Sequence, residues 1–429
     1  MAHIVVIGAG ITGITTSYAL LDHGHTVTVF ERNRYAAMET SFANGGQLSV
    51  SNAEVWNHPF TLLKGLKWMF KSDAPLLLNL KPSWHKYSWL AEFVGQIPYY
   101  RSNTTATVRL ALEARRLLFA LAERERIDFN LEKRGILHIY RNRQGFQHAS
   151  DVNVLLQEGG LERYAVTPAE IKAIEPTIHG DYYGGFFTPS DATGDIHKFT
   201  RGLAAACERR GARFIYDARV EGVTTTDAGV LLKWRIVDSG GTEAEETAAD
   251  AVVICAGVAS RRFAAMLGDR VNVYPVKGYS ITVHLDDPAS REAAPWTSLL
   301  DDETKIVSSR LGPDRFRVAG TAEINGFNRD IRNDRVQPLV DWTRRHFPGV
   351  STARVVPWAG LRPMMPNMLP RVGPGRRSRV FYNTGHGHLG WTLSAATAPI
   401  LADTVTTRLR PTTPVQDGIF AGKVASQFH

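Results

Sequence analysis

Gly8, Gly10 and Gly13 sit between a short apolar run, His3 to Ile7, and a stretch with helical spacing, and Glu31 closes a second apolar run, Thr26 to Phe30. The first glycine permits a tight turn, the second lets backbone approach a pyrophosphate, and the third lets a helix pack closely on a strand. With Ala9, Ile11 and Thr12 they form a loop whose amides and helix dipole favour an anion. Glu31 can accept a hydrogen bond from a ribose hydroxyl, with Arg32 beside it. A three-glycine pattern alone is common, but here strand, turn, helix, second strand and terminal acid all fall where a dinucleotide site needs them.

The same spacing recurs as Gly385, Gly387 and Gly390, between the strand-like VFYNT and a helical stretch running to Leu409. No strand ending in an acid follows, because Asp403 falls inside the expected helix. The turn therefore reads as a helix N-terminus aimed at a bound group that gains negative charge, such as the pyrimidine edge of a reduced flavin. His386 and His388 lie in this turn. Without carboxylate or cysteine partners they make a poor metal site, no metal is expected, and no residue stands out as a dedicated base.

These turns need a scaffold, and the chain is long enough for two packed domains: 429 residues, 44% of them hydrophobic. No run reaches the roughly 18 apolar residues that span a bilayer, and no signal peptide is expected before the strand at His3, so a cytoplasmic location is expected. Two cysteines, Cys207 and Cys255, give neither a disulfide framework nor a thiolate metal site. The formal charge of +8 comes from dispersed Lys and Arg, so nucleic acid is not expected as a partner.

Helical and strand signals alternate, which predicts an α/β fold: a Rossmann-type nucleotide domain with an inserted α+β substrate domain on a mixed or antiparallel sheet. Residues 1–126, 177–270 and 360–429 are assigned to the first, and 127–176 and 271–359 to the second. A long amphipathic helix is predicted over Thr104 to Arg126, and strands over 135–141, 184–196, 271–285 and 306–324. A further strand at 249–258 ends in Ala256 and Gly257, where a glycine suits close approach of backbone to a ligand.

The fingerprint, ETSFANGGQLS at 39–49, PVKGY at 275–279, GLRP at 360–363 and TGHGHLGWT at 384–392 occur in the order found in the D-amino-acid oxidase superfamily of flavoproteins, which the chain resembles along nearly its whole length. Within it the wording most resembles the bacterial D-amino-acid dehydrogenases. The resemblance implies non-covalent FAD, roofed by the second sheet, and oxidation of an amino-acid substrate to an imino acid that water hydrolyses.

Carried onto this sequence, the resemblance puts the pyrophosphate at Gly8, Gly10 and Gly13 and the adenosine ribose at Glu31. Ser41, Asn44, Gly46 and Gln47 would line the ribityl chain and flavin edge, with Val220, Ala256 and Gly257 near the adenine half. Gly360 and the turn from Gly385 through His386, Gly387, Leu389, Gly390 and Trp391 to Thr392 would border the ring. Arg362 resembles the family's carboxylate anchor, and Tyr279 is a second candidate for substrate contact.

One nucleotide fingerprint leaves no place for a nicotinamide, so electrons are expected to pass to a quinone or other respiratory acceptor, or to oxygen or a protein. Residues 56–100 hold Trp56, Trp68, Trp84 and Trp89 among Lys64, Lys67, Lys71 and Lys86, a mixture that suits peripheral membrane contact, an entrance lid or a subunit interface. Met364, Met365, Pro366 and Asn367, and the run LSVSNAEVWN from Leu48, depart from the dehydrogenase wording. Both segments are expected near the substrate, which keeps D-proline, D-hydroxyproline, glycine and sarcosine open beside D-alanine.

Overall fold

In the computed structural model, which describes residues 1–59, 75–237 and 244–410, alternation along the first strand, His3–Ile7, sorts its side chains between two layers. Ile4 and Val6, with Val27 and Val29, face the helices Ile11–Asp22, Ile196–Arg209 and Gly390–Leu409. Val5 and Ile7, with Phe30, Val252 and Ile254, face a three-stranded antiparallel layer, Ala218–Thr225, Val230–Ile236 and Glu245–Ala249, around Leu232 and Trp234. Burial on both faces explains why these strands read as continuous apolar runs rather than alternating ones.

His3–Ile7 is central in a six-stranded sheet, flanked in parallel by Thr26–Phe30 and Ala251–Ile254. Its neighbours diverge to opposite sides, which opens a crevice at the carboxyl ends of the strands. The glycine turn at residue 8 leads into that crevice.

The second sheet has nine strands. At one edge lies Val355–Met364, antiparallel to Tyr274–His284, which is in turn antiparallel to Arg315–Ile324. One face, with Tyr279, Ile281, Phe316 and Val318, packs on the helix Asn333–His346. The opposite face looks toward the nucleotide domain, and Ser280 donates its Oγ hydrogen bond at 2.7 Å to the carbonyl of Ala43, in the loop that follows Thr26–Phe30.

The long helix runs from Tyr100–Arg124, and 306–324 divides into Ile306–Arg310 and Arg315–Ile324, an antiparallel pair. Gly184–Thr188, assigned from sequence to the nucleotide part, instead pairs with Ile136–Tyr140 in the nine-stranded sheet. Leu76–Leu78 and the whole of Val355–Met364, Gly360 and Arg362 included, also belong to that sheet. The exchange of segments between sheets is set by long-range pairing, which local pattern does not encode.

Candidate active site

A cavity of about 640 Å³ runs between the two sheets. At one end Gly8, Gly10, Ile11 and Thr12 line it beside Glu31, Arg32, Ser41 and Asn44. Ala9 and Gly13 lie behind this surface. A Cβ at Gly13 would stand 1.8 Å from the Gly8 carbonyl oxygen, so this glycine serves packing between turn and helix. Gly8 has φ +106°, a conformation open to glycine, and a Cβ there would meet the Cys255 carbonyl. The Glu31 carboxylate accepts from Ala9 N–H at 2.7 Å and from the backbone and side-chain amides of Asn33 at 3.0 and 2.6 Å. Burial pushes its pKa up against the pull of these donors. Three of roughly four acceptor positions on the carboxylate are used, leaving one for a ribose hydroxyl.

Ser41 accepts from Ile11 N–H at 3.0 Å and so caps the helix that faces the crevice. Asn44 accepts from Gly46 N–H at 2.9 Å, and Gly46 itself lies outside the cavity wall against Leu311 and Ser309. Gln47 reaches the cavity, but both its amide hydrogens go to Ser298 Oγ and the Leu299 carbonyl, so it braces the loop against the second sheet. Val220, Ala256 and Gly257 line the wall on the same side, Ala256 beside Gly8, and Gly257 turns with φ +53°.

Gly360 and every residue from Gly385 to Thr392 line the opposite end. His386 Nε2 lies 2.9 Å from Thr397 Oγ1, whose hydroxyl donates to the Ser394 carbonyl. His386 Nδ1 and the Trp391 Nε1–H have no partner among the described residues and are closed off from the cavity. The turn Gly385 to Thr392 instead brings the start of the helix Gly390–Leu409 to the cavity wall, and that positive helix end fits a group that gains negative charge, as the pyrimidine edge of a reduced flavin does.

Arg362 also lines the cavity. Its one hydrogen bond among the described residues runs from Nη1 to the Thr321 carbonyl at 3.2 Å, and no carboxylate pairs with it. Desolvation pulls its pKa down to about 10, which still leaves it charged near neutrality. The guanidinium lies over Gly278 on the neighbouring strand, where a Cβ would stand 2.2 Å from Nη1. Thr321, at φ +56° in a bulge opposite Lys277 and Tyr279, aims the supporting carbonyl.

The structure corrects the expectation for Tyr279. Gly278 faces the cavity, so by strand alternation the next residue points the other way. The Tyr279 hydroxyl donates to Glu323 at 3.2 Å or to the Asp330 carbonyl at 3.3 Å, in a buried cluster with Lys277 and Arg335. Tyr279 still belongs to the cavity wall, but its hydroxyl is engaged in that cluster.

Of the two departing segments, Ser49, Ser51, Asn52, Glu54, Val55 and Trp56 line the cavity, whereas Met364 and Met365 pack beneath the second glycine turn. A Cβ at Gly385 would meet Met365 Cγ at 2.4 Å. Residues 60–74, with Lys64, Lys67, Trp68 and Lys71, lie outside the described residues. The rest of 56–100 divides: Trp89 is buried and donates to the Met364 carbonyl, Trp84 is 82% exposed, and Lys86 is 3% exposed with its ammonium on the Asn79 and Lys81 carbonyls. Lys86 is therefore not a surface cation beside the aromatics.

Sequence reasoning missed a polar group contributed by the second sheet. Buried Arg163 donates from Nη2 to His138 Nδ1 at 3.0 Å and toward the Tyr140 hydroxyl at 3.3 Å, which leaves His138 to donate from Nε2 to Ser51 Oγ at 3.0 Å. Asp302 and Lys305 pair nearby on the same wall. These residues carry no local motif; strand pairing alone gathers them.

A glycine turn with its acid, a second turn that presents a helix start and a buried arginine, converging on one cavity between two sheets, define a flavin-dependent oxidoreductase. The sequence profile of the FAD dependent oxidoreductase family matches residues 3–404. D-amino acid dehydrogenase 3 of Mesorhizobium japonicum is 63% identical over 409 residues, 95% of this chain and 98% of that protein. D-amino acid dehydrogenase of Paramagnetospirillum magneticum is 40% identical over 427 residues, 97% of each chain. The crystal structure of glycine oxidase from Geobacillus kaustophilus superposes with a TM-score of 0.73 at 22% identity, over 95% of both chains. The chain belongs to the FAD-dependent oxidoreductase family, within the D-amino-acid oxidase superfamily, and its cofactor is FAD.

Proposed function

We propose that the protein is a D-amino-acid dehydrogenase that passes electrons to a quinone or another respiratory acceptor. The observation that carries the substrate assignment is Arg362, a guanidinium in the cavity wall with no acidic partner among the described residues, held by Thr321 over Gly278. Such a group binds a carboxylate in two places and orients the carbon next to it. The two relatives whose names specify D-amino acids support the stereochemistry. FAD, when bound, would supply the hydride acceptor for the oxidation, and the imino acid so formed would be hydrolysed by water to a 2-oxo acid and ammonia. The helix Gly390–Leu409, whose start lines the cavity, would present its positive end to the bound cofactor, which gains negative charge on reduction.

The absence of a second glycine-and-acid fingerprint in the sequence supports an acceptor other than a nicotinamide. No helix among the described residues is long and apolar enough to cross a membrane, so a quinone would be met at a surface. Anaerobic mixing of the yellow holoprotein with D- and L-amino acids, glycine, sarcosine and D-proline tests the reading. Bleaching by D-amino acids, with faster recolouring by a quinone analogue than by air, is the expected result. Bleaching by glycine or sarcosine alone overturns the substrate, and rapid recolouring by air overturns the acceptor.

A further inference from the structure

His388 stands in the short turn Gly387–Leu389 and lines the same cavity as Arg362, whose positive charge is felt at its ring. Its Nε2 lies 3.2 Å from the Asn52 carbonyl. A carbonyl only accepts, so Nε2 carries the hydrogen and, in the neutral ring, Nδ1 holds a free lone pair. No group among the described residues bonds that Nδ1, and it is absent from the buried unpaired atoms, so it opens onto the cavity. Trp56 stacks on the ring with centroids 4.9 Å apart and planes 26° from parallel, which fixes its orientation. Burial and the Arg362 charge hold the imidazole near pKa 4, so it remains an uncharged acceptor.

The carboxylates in the cavity wall each have a partner of their own. Glu39 is paired with Arg32 and Arg329, Glu54 accepts from the Tyr100 hydroxyl, Asp302 is paired with Lys305, and Glu31 holds the glycine loop. An α-amino acid presents an anionic carboxylate and, one carbon away, a nitrogen with hydrogens to donate. The cavity presents a cation with no acidic partner beside a neutral acceptor with no donor. We propose that His388 is the amine-recognition residue: its Nδ1 accepts an N–H from the substrate's α-amino group while Arg362 holds the carboxylate. An uncharged acceptor beside a guanidinium suits the neutral amine over the ammonium, and keeps the nitrogen lone pair available as hydride leaves Cα. This assignment rests on the amino-acid reading above.

The test compares holoprotein variants His388→Asn, His388→Gln and His388→Phe. An asparagine places its amide oxygen close to the Nδ1 position, a glutamine reaches the Nε2 position, and a phenylalanine keeps the stack on Trp56 with neither nitrogen. D-alanine and D-proline are followed by flavin reduction. Propionate and cyclopentanecarboxylate, which lack the nitrogen, are followed by their perturbation of the flavin spectrum. Amino-acid binding is expected to weaken about tenfold or more in the Phe and Gln variants, the loss of one buried hydrogen bond, with partial recovery in Asn. The amine-free carboxylates are expected to bind all four proteins within about twofold, because Arg362 is untouched. Equal losses for amino acids and amine-free carboxylates, or no loss for either, overturn the role of His388. A wild-type flavin that binds propionate but is reduced by no D-amino acid overturns the substrate reading, and the amine assignment with it.

Discussion

A buried guanidinium is costly unless something anionic meets it, and here its support is one carbonyl and the empty space above a glycine. Arg362→Lys keeps a charge but loses the planar fork, so kcat/KM for D-amino acids is expected to fall roughly a hundredfold with FAD content unchanged. Gly278→Ala should reach a similar end without altering the arginine, because its Cβ would occupy the place of Nη1. A steady-state rise in KM measures that displacement. Tyr279→Phe is the contrasting case. Its hydroxyl belongs to the Glu323 cluster, so KM should move less than about twofold while thermal stability drops by about 1 kcal/mol, the scale of one buried hydrogen bond.

At the scale of the strand–turn–helix element, two glycines of one motif have separable duties. A Cβ on Gly10 would meet only Ser41 Oγ, at 3.5 Å, whereas one on Gly13 would collide with the Gly8 carbonyl. Gly10→Ala should therefore fold normally and bind FAD at least tenfold more weakly, read by fluorescence of released flavin, because the added methyl stands where the pyrophosphate approaches. Gly13→Ala should lower the thermal midpoint of the FAD-free protein as well, since helix and turn must part to admit it. Equal behaviour of the two variants would contradict this division.

Across the whole molecule, burial lowers the pKa of His346, beneath the nine-stranded sheet, from 6.5 to about 4, and that of His386, at the cavity, to about 3. Unfolded, both bind protons near pH 6.5, so between there and about pH 4 the unfolded state carries more protons than the native one. Their contribution to stability is complete above the unfolded value and is lost as pH falls, by about 1.4 kcal/mol per pH unit for each histidine. Thermal midpoints should decline from about pH 7 to about pH 5, and His346→Gln should flatten that slope. An unchanged slope would show that other groups govern the acid limit.

Local pattern carried the elements and the cofactor. The glycine spacings, the apolar strands and Glu31 are legible because each depends on neighbours within a few tens of residues, and the motif order led to FAD and to Arg362. Other features depend on partners far along the chain. Gly184–Thr188 joins the second sheet through Ile136–Tyr140, the Tyr279 hydroxyl turns away because its strand is sandwiched between cavity and helix, and Gly278 makes room for a residue distant in sequence. His388 was visible in the glycine turn, yet nothing nearby in sequence shows Asn52 taking one nitrogen, Trp56 holding the ring and Arg362 lying beside it. Backbone conformation follows local sterics and hydrophobic period, which a sequence displays directly. The free hydrogen-bonding capacity of a buried group is what remains after all its spatial neighbours are counted, and those neighbours exist only once the two sheets have closed on each other.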